Sequence, residues 1–171
     1  MTQAAIRLDP TNHLPKEREG KYLTFMLAEE DYGLEILKVR EIIGMMDITA
    51  IPQTPGYIKG VINLRGRVIP VIDLRLKFNL PPMDYGERTC IIVVDVAGAD
   101  GPVQMGVVVD AVSEVMHVSN EEIEPSPSFG AGLTTSYILG IAKARDQIKI
   151  LLDIDQVLTV EELAGMEQMG S

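Results

Sequence analysis

Cys90 is the only cysteine in a chain of 171 residues, and a thiol works as a nucleophile only with a base in reach. The histidines are His13 and His117. His13 falls in a polar opening stretch, which leaves His117 as the one candidate base. The β-branched run from Thr89 to Val96 predicts instead that Cys90 is packed into a strand. Cys90, His13 and His117 are also too scattered to supply the close ligand pairs of a zinc site.

Asp153 and Asp155, two apart in a run that alternates like a strand, share a face and could contribute to a hard-cation site. A solvated strand face is the preferred account of them. Gly130-Ala131-Gly132 lacks the third glycine, the preceding strand and the following helix of a dinucleotide fingerprint, and the chain has no phosphate loop and no HExxH pattern. An active site would have to be made from scattered carboxylates and hydroxyls, so the residues argue for a protein that binds and does not catalyse. Two other readings stay open at this point: a small thiol-dependent hydrolase using Cys90, and a β-barrel that binds a small molecule.

The basic pair in Arg65-Gly66-Arg67 stands out against 25 acidic and 15 basic residues, a net charge of −10. A guanidinium can hold a carboxylate in bidentate fashion, so this turn is a candidate contact for an acidic group. The overall charge opposes binding to nucleic acid or to anionic lipid. A lone cysteine fits a reducing cytoplasm, and no apolar run approaches the roughly 18 residues needed to cross a bilayer.

The elements that would position these residues are short strands. Residues 1–20, with Pro10, Asn12, Pro15 and a Lys-Glu-Arg-Glu cluster, read as a mobile tail. A hairpin is expected from Tyr22 to Ile36 around Glu29-Glu30-Asp31. Ile36, Val39 and Ile43 at i, i+3 and i+7 predict a two-turn helix. A second hairpin joins Tyr57–Leu64 to Val68–Leu74 across Gly66, with Pro70 marking the later strand as an edge or a bulge. Pro81 to Gly86 breaks the pattern before the Cys90 strand. Ile148, Ile150, Leu152 and Ile154 alternate as the buried face of a late strand. Thr159 and Glu162 have capping-box spacing for a final helix over about 160–165.

The chain repeats itself. Gly33 to Ile43 aligns with Gly106 to Met116 at an offset of 73, placing Val39 on Val112 and Glu41 on Glu114. Tyr57 to Leu74 aligns with Tyr137 to Ile154 at an offset of 80, with five of eighteen positions identical. Units of this size are near the lower limit for an independent core, so the two must share apolar surface, and the seam between them is a natural groove for a peptide or helix. The short strands and frequent turns favour two small antiparallel barrels.

The segments Asp31-Tyr-Gly-Leu-Glu-Ile-Leu-Lys-Val-Arg-Glu-Ile and Tyr57-Ile-Lys-Gly-Val-Ile-Asn-Leu-Arg-Gly-Arg-Val-Ile-Pro-Val-Ile-Asp-Leu resemble the CheW-like family of bacterial chemotaxis coupling proteins. The likeness extends over residues 21–163. It implies a mostly β fold of two similar five-stranded SH3-like antiparallel barrels with short helices, one over about 21–83 and the other over about 84–158. It also implies a non-catalytic adaptor without a cofactor or metal, in the cytoplasm, recruited to membrane-bound receptor arrays. By matching positions, the cytoplasmic hairpin tip of a chemoreceptor would meet Val39, Ile91, Val112 and Val115, with Cys90 adjacent. The family's acid and arginine fall on Glu41 and Arg65, which would pair across the first barrel, with Gly60 allowing close backbone approach. The regulatory domain of the histidine kinase CheA would dock on the first barrel around Met46, Ile48 and Val61.

Overall fold

The structure, a computed structural model, describes residues 18–98, 101–125, 137–144 and 146–158. Its strands are β1 (Gly20–Leu27), β2 (Glu30–Glu35), β3 (Val39–Gly44), β4 (Ile58–Leu64), β5 (Arg67–Asp73), β6 (Cys90–Gly98), β7 (Gly101–Val109), β8 (Ala111–Val118), β9 (Ile123–Glu124), β10 (Ile138–Ala144) and β11 (Gln147–Leu152). Two four-residue helices, α1 (Leu74–Lys77) and α2 (Ile154–Val157), follow β5 and β11. Most of the expected tail, the Gly130–Gly132 stretch and the expected final helix lie outside the described residues.

Both predicted hairpins are present. β1 turns into β2 through Ala28 and Glu29, at φ 50° and 68°, and β4 turns into β5 through Arg65 and Gly66, at φ 53° and 86°. Two consecutive left-handed residues match the right-handed twist of the flanking strands. The expected helix from Ile36 to Ile43 is a single 3-10 turn, Ile36–Lys38, followed by β3. Local helical spacing lost to a β-branched run that pairs with β6, Ile42 opposite Ile92 and Ile43 opposite Ile91.

Pro70 does not mark an edge, because β5 lies between β4 and β7. Val61, opposite Pro70, gives its own N–H and C=O to Thr49, at 2.9 and 2.8 Å. The pair therefore exchanges no hydrogen bonds, and the missing proline N–H leaves no gap in the β4–β5 ladder. The irregularity that sequence reading assigned to Pro70 is a bulge in β4, between Ile58 and Gly60.

The strands form a six-stranded sheet, β8-β1-β2-β11-β10-β9, and a five-stranded sheet, β3-β6-β7-β5-β4. Each repeat thus lends a hairpin to the sheet of the other. The β1–β2 hairpin pairs with β8 and β11, while β6–β7 pairs with β3 and β5. Contiguous units divided near residue 84 would not mix strands in this way. The exchange creates the two parallel pairings, Gly33 opposite Leu151 and Gly106 opposite Val71. A β-carbon at Gly33 would lie 2.9 Å from Leu151 Cδ2, and one at Gly106 3.2 Å from Val71 Cγ2, so the repeated glycine makes room where one repeat crosses the other.

Three apolar clusters follow from this. Ile62, Leu64, Ile69, Val71, Ile91, Val93 and Val108 form the inner core of the five-stranded sheet. Tyr22, Met116, Val118, Ala142, Ala144 and Leu151 form that of the six-stranded sheet. Between them lies a larger core contributed by both, including Phe25, Leu34, Ile72, Leu74, Ile92, Val94, Val107 and Leu152. A row of stacked rings, Phe25, Tyr32, Phe78 and Tyr137, spans this shared core with centroids 5.8, 6.3 and 5.3 Å apart. Offset stacking adds to the area these rings bury.

Leu152 and Ile154 are buried as expected and Ile150 packs half-buried on the shared core, but the start of the strand is reversed. Ile148 is 62% exposed and Lys149 only 6%. Lys149 Nζ donates to Asp31 Oδ2 at 3.1 Å, across the parallel pairing of β11 with β2. A cation this buried needs such a partner.

Candidate functional site

β3 and β8 are repeat-equivalent edge strands, and each starts in the shared core. Val39 and Val112 are half-buried and both pack against that core. Further along, Ile42 and Val115, again 73 residues apart, are 45% and 49% exposed. Each edge strand therefore offers one aliphatic side chain to solvent beyond a valine rooted between the sheets.

Cys90 is half-buried against the shared core, and its sulfur is hydrogen-bonded to the backbone of Val112. Burial pushes its thiol up from the ordinary range, and the Val112 contact only partly offsets this. His117 is exposed on β8 opposite Lys21, five residues from Val112, or roughly 16 Å along an extended strand. Cys90 and His117 thus form no catalytic dyad, and the buried thiol is a poor nucleophile near neutral pH. Asp153 and Asp155 do not share a strand face: Asp153 caps α2 by accepting from Asp155 N at 3.0 Å, and Asp155 lies in its first turn. Among the described residues no group of three His, Cys, Asp or Glu side chains could hold a metal ion, and no helix is long and apolar enough to cross a membrane.

Glu41 and Arg65 do meet. Asn63 Oδ1 accepts from Gly66 N at 2.8 Å and fixes the β4–β5 tip. From that tip the Arg65 guanidinium is hydrogen-bonded to the Glu41 carboxylate on β3. The bond lowers the Glu41 carboxyl below its ordinary range and raises Arg65. Both groups face water, so the pair is a presented charge pattern more than a source of stability. Beside it Arg40 reaches Asp95 on β6 at 3.4 Å.

Gly60 sits in the β4 bulge at φ 139°, where a β-carbon would lie 2.0 Å from Thr49 O. Thr49 follows β3 in the chain yet bridges Val61 on β4, so one continuous run links the opposite edges of the five-stranded sheet. Met46 and Ile48 lie on this run and pack, half-buried, over the inner core of that sheet. Val61 is half-buried at the bridge. Met46 and Ile48 thus lie over the inner core, whereas Val61, next to the core residue Ile62 in β4, is linked to their run through the Thr49 bridge.

Ile91 is the exception among the expected contact residues. It is fully buried in the inner core of the five-stranded sheet and presents no surface to a partner. In a strand buried on both faces, a residue beside a groove residue is still an interior residue. Sequence reading also missed Ile42 and Thr49, although the repeat carried a signal for the first, since Ile42 aligns with Val115. It missed a recess of about 500 Å³ lined by Lys59, Asp73, Leu76, Pro82, Met83, Asp84 and Tyr85. There Tyr85 donates to buried Asp73 at 2.8 Å, and Lys59 lies 5.7 Å from the Tyr85 ring centre.

The model of the CheW-like domain matches residues 21–162. The chain is 43% identical over 150 residues to the chemotaxis protein CheW of Klebsiella aerogenes, covering 88% of each protein. It is 34% identical over 141 residues to that of Bacillus subtilis, covering 82% of this chain and 88% of that one. Among solved structures, the scaffolding protein CheW of Thermoanaerobacter tengcongensis superposes with a TM-score of 0.74 at 38% identity, over 84% of this chain and 97% of that one.

Proposed function

We propose the partners of this protein from its kinship: the chain belongs to the CheW-like domain family and is a non-catalytic adaptor of chemotaxis. The partners are the cytoplasmic hairpin tip of a chemoreceptor and the regulatory domain of the histidine kinase CheA. The receptor tip lies against β3 and β8, touching Val39, Val112 and Val115, with the Glu41–Arg65 pair at its margin. The kinase takes the five-stranded sheet around Met46, Ile48 and Val61, and Gly60, expected on the receptor side, serves here by letting the Thr49 run approach β4. Holding both partners raises the effective concentration of each for the other, and recruitment to a receptor array follows from binding the receptor.

What supports this reading is a pair of repeat-equivalent edge strands, each with a half-buried valine set against the shared core, together with an exposed Val115 on β8 and a presented Glu41–Arg65 pair beside β3, which supply apolar seats and a polar margin. Interfaces are built in this way, with desolvated anchors ringed by polar groups. Val115→Glu places a charge on the seat and should weaken binding of a purified receptor-tip fragment about tenfold or more, with an unchanged melting curve, because the side chain is already half in water. Arg65→Glu should reduce receptor-dependent kinase activation. Binding and activation by both variants at the level of the parent would remove this surface from the reading.

A further inference from the structure

The two exchanged hairpins are held at their tips by the same device with its charges reversed. Ala28 N, at the β1–β2 tip, donates to Asp110 Oδ2 at 2.8 Å. Asp110 stands where the chain passes from the five-stranded to the six-stranded sheet, and Arg75 on α1 donates to the same oxygen at 3.1 Å. Ala97 N, near the β6–β7 tip, donates to Asp155 Oδ1 on α2 at 2.8 Å. The other oxygen of Asp155 accepts from Lys38 Nζ at 2.6 Å, and Lys38 lies in the 3-10 turn where the chain passes from the six-stranded to the five-stranded sheet. Arg75 and Asp155 are 80 residues apart, the repeat offset. In one half the helix carries the cation and the crossover the acid; in the other these roles are swapped.

The two latches differ in setting. The Arg75 and Asp110 side chains are 11% and 17% exposed, whereas those of Lys38 and Asp155 are 31% and 24% exposed. Glu35 at the end of β2 and Asp153 after β11 also face Lys38 and Asp155, so Lys38, with Arg18 acting on Asp153, serves three carboxylates. The second latch is therefore wetter and has a surplus of negative charge. It also adjoins the surface assigned above to the receptor, because Val39 follows Lys38 directly and its N–H is bonded to Ile36 O in the same 3-10 turn.

We propose that Asp155, acting through Lys38, is a positioning residue for receptor docking, holding the 3-10 turn so that Val39 enters the groove at a fixed place. This rests on the receptor surface proposed above. The Asp110 latch, on the other crossover, leaves that place unchanged. The full-length protein with Lys38→Met, Lys38→Arg, Asp155→Ala or Asp110→Asn tests it through three readouts: amide hydrogen exchange at Val39 and Ala97, affinity for a purified receptor-tip fragment at low and high salt, and affinity for the kinase regulatory domain.

Lys38→Met should speed exchange at Val39 and lower receptor-tip affinity roughly fivefold at low salt, a gap that closes at high salt as screening weakens the pair in the parent. Lys38→Arg should restore the affinity, Asp155→Ala should also open Ala97, and kinase affinity should stay unchanged in all. Asp110→Asn should expose Ala28 to exchange and leave exchange at Val39 and Ala97 unchanged. Faster exchange at Val39 with unchanged receptor affinity would overturn the positioning role, as would unchanged exchange. Failure of the parent itself to bind the receptor tip, with exchange responding as expected, would instead overturn the receptor surface.

Discussion

Gly60→Ala is a sharp test of how the five-stranded sheet is held together. The added β-carbon would lie 2.0 Å from Thr49 O, 2.7 Å from Thr49 C and 2.9 Å from Ala50 Cα. These are backbone atoms, so no side chain can swing aside. Restoring ordinary contact needs a retreat of more than about 1 Å, and the 2.9 and 2.8 Å hydrogen bonds between Thr49 and Val61 do not survive such a shift. Their loss costs about 1 kcal/mol each. A side chain at φ 139° adds about 1–3 kcal/mol of backbone strain. The total of about 3–5 kcal/mol should lower the melting temperature by roughly 10 °C or more in a protein of this size. Urea unfolding followed by circular dichroism measures it, with Gly44→Ala as the control, because a β-carbon there meets nothing within 4 Å. Gly140→Ala should fall between the two, since its nearest contacts are Ile123 Cγ2 at 2.7 Å and Glu124 O at 2.9 Å. A Gly60→Ala protein as stable as the Gly44→Ala control would refute the bridge and the argument built on it.

Glu35 is raised first by burial and then by Asp153 and Asp155, and Asp153 is raised first by burial. A carboxyl raised in the folded state is no liability below its unfolded pKa and costs stability as pH climbs through the folded value. Glu35→Gln should therefore be more stable than the parent at pH 7 and equal to it below about pH 4, as read from melting curves at several pH values; a variant destabilised at pH 7 would contradict the assignment. Lys149→Ala should cost about 2–4 kcal/mol in denaturant unfolding, because it strips Asp31 of its partner in a largely buried site, while Lys149→Met, which refills the space, should cost less. Loss of the same amount in both would place the effect in the charge alone. Iodoacetamide should label Cys90 slowly at pH 7 and faster with rising pH, followed by intact mass, whereas rapid labelling at pH 7 would show that the thiol is not held up by burial.

The fold was legible where sequence alone dictates backbone geometry. The β4–β5 turn announced itself through Gly66, and the repeat announced both halves through Gly33 and Gly106, Tyr57 and Tyr137, and Asp73 and Asp153. The structure gives the last two pairs a common hydrogen bond, Asp73 N to Tyr57 O at 2.8 Å and Asp153 N to Tyr137 O at 2.7 Å. What could not be read was which half completes which sheet, because strand exchange leaves every local pattern unchanged. That ignorance had direct effects. Ile36 to Ile43 read as helical because its pairing with β6, Val39 with Val94 and Ile43 with Ile91, lies far along the chain and is invisible to a local period. Ile148 and Lys149 were assigned to the wrong faces because the salt bridge that buries Lys149 comes from Asp31 at the other end of the chain. The Glu41–Arg65 pair came from the resemblance, whereas the burial of Ile91 depends on the five-stranded sheet wrapping its own core.

The lending of hairpins between repeats means that the chain cannot be pared down to either half. Severed in the loop between α1 and β6, it would yield two pieces, each short of a pair of strands and each carrying a pair with no seat of its own. Only the mixture could rebuild the native object. A substitution in the opening hairpin is accordingly felt first on β8 and β11, strands that do not look, along the sequence, like its neighbours.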